Sequence, residues 1–425
     1  MKNIFMSTYG CSSNTSDSEI MAGLLKESGY SLIGNIDSAD IVLINTCVVK
    51  GATESKVKYA IQQLVKKYPE KKLVIAGCMS ESEPGLVKNI APGASLLGPH
   101  HITDVSETVK ETLAGRRIER IGKRNETKLL LPKCRTNPLI DTINIGSGCM
   151  GSCSFCIARL ARGSLQSFPL ESIVEETKRA IQKGCREIRL TGQDTGIYGA
   201  DTGTSLPSLL SQLSTLPGEF RIRVGMMNPN GAKKILPELI RAFESEKVYK
   251  FLHVPVQSGS NKVLQDMKRP YSITDFKQTV SKFRKACPSL TLATDIIVGY
   301  PTETEKDFQK TLDLVKDVKP DIINISRFAP RPGTEAAKLE KLPSEVLKAR
   351  SRIMTRLAEK TALKNNKKSV GKFDLVLLTE KGKGGTVVGR GSNYKSVVLD
   401  HGKLGLFYQV KFTEAHSTYL RAVPA

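Results

Sequence analysis

The sequence predicts an α/β protein in three parts: an N-terminal parallel sheet flanked by helices, a central partial barrel of six strand–helix units, and a small C-terminal β-barrel. Three observations predict it. Strand-like and helix-like runs alternate over the first hundred residues, the signature of a parallel sheet with helical crossovers. The alternation restarts after a polar, basic stretch. The last fifty residues then turn to short β-prone runs separated by Gly, Asn and Asp, as in a small all-β barrel. A chain of 425 residues, 40% of them hydrophobic, is long enough for two or three domains, each with its own core.

In order, Lys2–Ser7 is apolar and β-prone, and Asp17–Ser28 has helical spacing through Ile20, Met21, Leu24 and Leu25. Ile41–Ile44 is a short buried-strand run, Glu54–Lys67 a helix and Lys72–Ala76 a strand; this unit is placed at residues 1–115. Residues 116–138, with Pro132 and Pro138 near the end, are polar and basic and read as a linker. Across 139–340 the strands are Asp141–Ile145, Glu187–Thr191, Arg221–Met226, Phe251–Val256, Leu292–Val298 and Asp321–Arg327, with helices such as Leu170–Gln182, Ile235–Glu244 and Glu305–Val318 between them. Six units suit an open part-barrel rather than a closed eight-fold one. Residues 341–366 form a connecting helix with a stripe of Val346, Leu347, Arg350, Ile353, Met354 and Leu357 that packs on the barrel. Residues 367–425 are the β domain. Lys381–Gly385 lacks the phosphate-loop pattern and reads as a hairpin turn.

The net charge of +22 speaks of partners. A nucleic-acid backbone fits it; a merely solvated basic surface is the alternative. No run approaches the roughly 20 apolar residues of a membrane span, and the N-terminus is no signal peptide, so a cytoplasmic protein without membrane contact is expected. Nine cysteines, an odd number in such a chain, favour metal or cluster ligation over disulfides. Cys134, Cys185 and Cys287 lack partners at useful spacing and read as buried free thiols.

The strongest motif is Cys149-Met-Gly-Ser-Cys153-Ser-Phe-Cys156, a C-x3-C-x2-C run after the first barrel strand, at the end where such folds build sites. Three thiolates on one loop can hold three irons of a cubane and leave the fourth open. Zinc, which usually takes four protein ligands, fits this spacing poorly. A second trio is spread out: Cys11, Cys47 and Cys78 each follow one of the first three strands. C-terminal strand ends of a parallel sheet open onto one crevice. From topology alone, convergence of the three and coincidence both stand. Asn14 and Asn45 are turn or cap residues by default and donors beside a cluster if the thiols converge.

The C-x3-C-x2-C loop resembles the signature of the radical S-adenosylmethionine superfamily. Three spread N-terminal cysteines, that loop and a terminal β domain together resemble the methylthiotransferase family over nearly the whole chain. The wording Thr8–Asn14, Asn45–Lys50, Ile157–Gly163 and Arg189–Gly199 is most similar to the archaeal and eukaryotic branch acting on threonylcarbamoyladenosine in tRNA; ending at Ala425 without a membrane tail favours the archaeal type. The resemblance implies a radical S-adenosylmethionine core barrel and an RNA-binding, TRAM-like β domain. It implies two 4Fe-4S clusters, on Cys149/Cys153/Cys156 and Cys11/Cys47/Cys78, with S-adenosyl-L-methionine chelating the open iron and cleaved to a deoxyadenosyl radical. Partners would be tRNA, a flavodoxin- or ferredoxin-type electron donor and a sulfur donor of unknown nature.

Further site residues follow from the same resemblance. Phe155 would pack near the adenine. Gln193 and Asp194, in Thr191-Gly-Gln-Asp194, would contact the cofactor's amino group, although many members carry Glu and Pro there. His253 and Gln257 would form a polar cofactor wall; Gly299 and Pro301 an adenine-contacting turn; Arg327 would face a phosphate or carboxylate. Each has a plain alternative as turn, cap or core residue. In the β domain, Lys372, Lys381, Lys383, Arg390 and Lys395 with Tyr394, Phe407 and Tyr408 offer the basic and aromatic groups that suit RNA. The implied reaction is sulfur transfer: 2-methylthiolation of N6-threonylcarbamoyladenosine at position 37, beside the anticodon, with no side-chain acid or base as catalyst. Rival readings are the same chemistry on isopentenyladenosine tRNA or a ribosomal-protein aspartate, or a non-catalytic metal-binding RNA scaffold.

Overall fold

The computed structural model describes residues 1–49 and 51–425; Lys50, the last residue of the Asn45–Lys50 motif, lies outside them. The N-terminal unit is a six-stranded sheet in the order Ser31–Ile33, Asn3–Thr8, Ile41–Thr46, Lys72–Gly77, Ser95–Leu97, Glu119–Arg120. Every pairing is parallel. Ile41–Thr46 is buried at every position, which is why it reads as a continuous apolar run: helices cover both faces. Val42, Ile44 and Ile75 join the core on one face, and Ile41, Leu43, Val74 and Ala76 that on the other.

The first helix spans Ser12–Glu27, starting well before Asp17. Its first turns bury Ser13, Asn14, Ser16, Asp17, Ser18 and Glu19, so hydrophobic periodicity has no purchase there. Residues 116–138 are no free tether. Glu119–Arg120 supplies the sixth strand, and the rest is a strap pinned by buried ion pairs. Lys128 reaches Asp17 at 2.9 Å, Lys133 lies 3.0 Å from Asp141 and 2.6 Å from Glu176, and Arg135 lies 2.5 Å from Asp141. Three charges of this basic stretch, on Lys128, Lys133 and Arg135, are thus paired with internal carboxylates.

The central unit is two three-stranded parallel half-sheets. One holds Ile140–Asn144, Glu187–Thr191 and Arg221–Val224; the other Phe251–His253, Thr291–Val298 and Ile322–Arg327. They meet through a bridge of Ile222 to Val248 and a hydrogen bond from the Met227 N–H to the His253 carbonyl at 3.0 Å. The six strands thus form the open arc that the alternation predicts. Ile143, Ile188, Leu190, Ile222, Val224, Leu252, Leu292 and Ile296 face the helices in one large core. Strand alternation then turns Thr142, Asn144, Arg189, Arg223, His253, Asp295 and Asn324 to the inner face.

The helix Ser344–Lys367 lies on this unit, and strands Phe373–Lys381, Val387–Arg390, Ser396–Leu399, Phe407–Ala415 and Leu420–Pro424 close a barrel. Lys383–Gly385 is the turn between the first two of these strands. One face of the barrel is spent on the core. The Tyr394 hydroxyl donates to Glu187 at 3.2 Å, its ring lies 4.8 Å from Tyr249 and 5.0 Å from Phe251, and Arg390 stacks over it. Lys395 pairs with Asp321 at 3.1 Å, and Phe407 lies under Arg221. Three of the eight residues read as an RNA face, Tyr394, Lys395 and Phe407, are thus contacts to the core, and Arg390 is stacked on one of them. The amphipathic side chains that suit RNA suit an interdomain seam equally well. Lys372, Lys381 and Lys383 stay exposed. Among the described residues no helix is long and apolar enough to cross a membrane.

Candidate functional site

The three N-terminal cysteines converge. Cys11 caps the first helix, while Cys47 and Cys78 leave the ends of neighbouring strands. Asn14 stands at their centre. Its Oδ1 lies 3.8 Å from both the Cys11 and Cys78 sulfurs, and its Nδ2 donates to the carbonyls of Tyr9 and Thr46. Asn45 braces Asn14 from behind, donating to its backbone carbonyl at 2.9 Å and to Ser18 at 2.8 Å. Two glycines make room. A Cβ on Gly10 would sit 2.8 Å from the Cys47 sulfur, and one on Gly77 would sit 2.2 Å from the Asn45 amide oxygen; both residues have positive φ. Burial pushes the Cys47 thiol up to about 11 and raises Cys78 as well.

The second trio lies on the loop after Ile140–Asn144. The Cys149 N–H is held by the Gly163 carbonyl, and the Gly151 N–H points at the Cys149 sulfur at 3.2 Å. Burial pushes Cys149 up to about 11 and raises Cys156. Arg269 donates to the Cys153 sulfur at 2.9 Å and also bonds Asn228, whose amide donates to Asp194 at 2.7 Å. Across the gap, Arg331 beyond the last barrel strand donates to the Val49 carbonyl at 3.2 Å and pairs with Glu54. The loop after Cys47 is thus tied to the barrel's C-terminal rim. Among the described residues no three His, Cys, Asp or Glu side chains are gathered to hold a metal ion. Thiolates of a cubane each bind a different iron and stand farther apart than ligands of one ion, so two converging all-sulfur trios suit clusters better than zinc.

Three family models match in series: Uncharacterized protein family UPF0004 over residues 3–98, the Radical SAM superfamily over 143–315 and the TRAM domain over 367–425. A probable threonylcarbamoyladenosine tRNA methylthiotransferase of Methanothermobacter thermautotrophicus is 45% identical over 99% of both chains. Its Pyrococcus horikoshii counterpart is 41% identical over 99% of both. The human threonylcarbamoyladenosine tRNA methylthiotransferase is 39% identical over 90% of this chain and 66% of its own. The chain belongs to this methylthiotransferase family. Among solved structures, the radical S-adenosylmethionine methyltransferase TsrM of Kitasatospora setae, with cobalamin and a [4Fe-4S] cluster bound, has a TM-score of 0.57 at 14% identity, covering 79% of this chain and 77% of that one; it shows the shared fold.

Membership carries S-adenosylmethionine and one 4Fe-4S cluster as cofactors of this methylthiotransferase chain. The other residues expected at the site divide. Phe155, within the 149–156 loop, packs with Val263, Met267, Tyr300 and Phe328. His253 shares a 3.1 Å contact with Asp295, which also accepts from Asn324 at 2.7 Å. Gln257 has a φ of 68°, a strained backbone that tends to persist at functional positions. Gly299 turns against the long helix and Pro301 follows it; Arg327 is exposed at the rim. Gln193 and Asp194 are turned to the protein: the Gln193 side-chain oxygen accepts from the Gly148 N–H at 2.7 Å, and Asp194 accepts from Gly196 and Asn228. They brace the start of the 149–156 loop and the Asn228–Arg269 pair. Sequence reading missed Arg162, Asn228, Arg269 and Tyr300, whose hydroxyl lies 2.9 Å from Ser154. A buried charge leaves no periodic trace; the only signal was that Arg162 falls within the motif Ile157–Gly163.

Proposed function

We propose that this chain converts N6-threonylcarbamoyladenosine at position 37 of tRNA to its 2-methylthio derivative, using two 4Fe-4S clusters. The observation that carries the reading is the pair of thiol trios, each at the C-terminal strand ends of its own parallel sheet, on units tied rim to rim. Cys149, Cys153 and Cys156 would hold the cluster that, when bound, supplies the electron for reductive cleavage of S-adenosylmethionine; Cys11, Cys47 and Cys78 would hold the second, the sulfur-carrying site. An unactivated aromatic C–H bond calls for such chemistry, since no side-chain base has the driving force at neutral pH.

The protein's own groups bind, orient and exclude water. Phe155 and the Gly299–Pro301 turn offer an apolar seat for an adenine, His253, Gln257 and Arg327 polar contacts to the cofactor. The target base leaves its stack to reach the gap between the two units, while exposed Lys372, Lys381 and Lys383 hold backbone phosphates. A flavodoxin- or ferredoxin-type electron donor, a sulfur donor and a cytoplasmic setting belong to the same reading. Close relatives bearing this substrate in their names favour it over isopentenyladenosine or a protein aspartate. Anaerobically reconstituted protein, given S-adenosylmethionine, reductant, a sulfur source and tRNA carrying threonylcarbamoyladenosine, yields the methylthio nucleoside by mass spectrometry. A methylthio group only on isopentenyladenosine, or none at all, would refute it.

A further inference from the structure

The short helix Ala158–Arg162 follows directly on the cluster loop that ends at Cys156, yet it is packed into the other unit. Ile157 and Ala161 are fully buried members of the N-terminal core, together with Val42, Ile44, Cys78 and Met79. The helix ends in Arg162, itself only 3% exposed. Its guanidinium donates to Asn14 Oδ1 at 2.9 Å and lies 2.7 Å from Asp17. The same Asn14 oxygen is the atom that lies 3.8 Å from both the Cys11 and Cys78 sulfurs.

Asp17 is shared by two buried cations, Arg162 and Lys128. Glu126, the next buried carboxylate, acts on Lys128, while Arg124, 3.0 Å from it, is also paired with Asp104 at 2.9 Å. Arg162 therefore has no carboxylate of its own, and its other neighbours are Asn14 and the Cys11 and Cys78 thiols. Thiolates carrying a cluster would add negative charge beside a buried cation, and hydrogen bonds and cations at cluster sulfurs stabilise the reduced state.

We propose that Arg162 is a positioning residue for the second cluster, delivered by the loop of the first: it completes the Cys11/Cys47/Cys78 site and raises the reduction potential of the cluster held there. This rests on the two-cluster reading above. It makes the N-terminal site incomplete without the barrel, and it fixes the two trios relative to each other through six residues of chain, from Cys156 to Arg162.

The test uses the full chain, reconstituted anaerobically with iron and sulfide, with Cys149, Cys153 and Cys156 all changed to alanine so that only the N-terminal trio is loaded. Arg162→Gln and Arg162→Lys are compared with this parent by iron and sulfide content, electron paramagnetic resonance of the reduced protein and redox titration. The expected result is a more negative midpoint and a several-fold lower cluster content for Arg162→Gln, and a midpoint near the parent's for Arg162→Lys, which keeps the charge. In the chain with all cysteines, Arg162→Gln leaves the signal of the Cys149/Cys153/Cys156 cluster unchanged. Parent-like midpoint and content in Arg162→Gln would overturn the proposal. So would equal loss of both clusters, or of the fold, in both variants, since that marks a structural strut. A parent that takes up no iron sinks the two-cluster reading itself, a different failure from a parent that loads normally and ignores Arg162.

Discussion

Cys47 and Cys149 are protonated in the metal-free chain, since burial lifts both thiols to about 11; metal uptake must expel those protons. What readies the site is the packing around them. Changing Gly77 to alanine sets a Cβ 2.2 Å from Asn45 and forces a residue at φ 89°. We expect a loss of about 1–3 kcal/mol in thermal unfolding and reduced iron at the N-terminal trio only. His100 is a second consequence of burial, which, with Lys128 and Arg162 nearby, pulls its imidazole down to about 4. Its folded pKa lies below the unfolded one, so the unfolded chain takes the proton first. Stability is therefore intact above about pH 6.5 and falls as pH drops toward 4, by up to ~3 kcal/mol. His100→Gln should flatten the melting temperature against pH in that window; an unchanged slope would contradict the burial argument. Gln257→Gly removes a positive-φ strain and should leave stability equal or higher while weakening S-adenosylmethionine binding several-fold; unweakened binding would remove Gln257 from the cofactor wall. At this scale the two cysteine trios were legible as candidate ligands, because Cys11, Cys47 and Cys78 each follow a strand and Cys149, Cys153 and Cys156 share one loop. Arg162 was not: it meets Asn14 across 148 positions of sequence, and nothing local tells a buried arginine from a surface one.

Among the elements, strands were read almost to the residue where apolar side chains alternate onto a helix-covered face, as at Glu187–Thr191. It failed where polar groups are buried. The first helix hides its start in Ser13–Glu19, and the strap of residues 116–138 looked like a tether because its lysines are charged, although Lys128 and Lys133 are sealed against carboxylates. The long helix Ser344–Lys367 shows the same logic in a form open to measurement. Its Arg350 donates to Glu303 at 2.6 Å and to that residue's carbonyl at 3.0 Å, and the Glu303 side chain is 1% exposed. Arg350→Ala leaves that carboxylate buried without its partner. We expect a cost of about 3–5 kcal/mol, seen in chemical unfolding; a change within experimental scatter would mean the helix is held by its apolar stripe alone.

For the molecule as a whole, a surplus of 22 positive charges survives the internal pairing, and part of it lies on the exposed side of the C-terminal barrel. Affinity for tRNA should therefore fall log-linearly with salt, and Lys372→Ala, Lys381→Ala and Lys383→Ala together should flatten that slope by roughly two to three. An unaltered slope would move the RNA contact elsewhere. The three-part architecture was legible in the sequence. The seam was not, because Tyr394 and Phe407 are as suitable for a base as for the barrel they cover. The proposed function turns on two separate clusters in one chain. The most direct measurement is iron and sulfide per chain after anaerobic reconstitution, for the natural sequence, for Cys11/Cys47/Cys78→Ala and for Cys149/Cys153/Cys156→Ala. The account predicts about eight irons in the first and about four in each variant, with methylthiolation lost in both. About four irons in the natural chain, unchanged when Cys11, Cys47 and Cys78 are replaced, would contradict it.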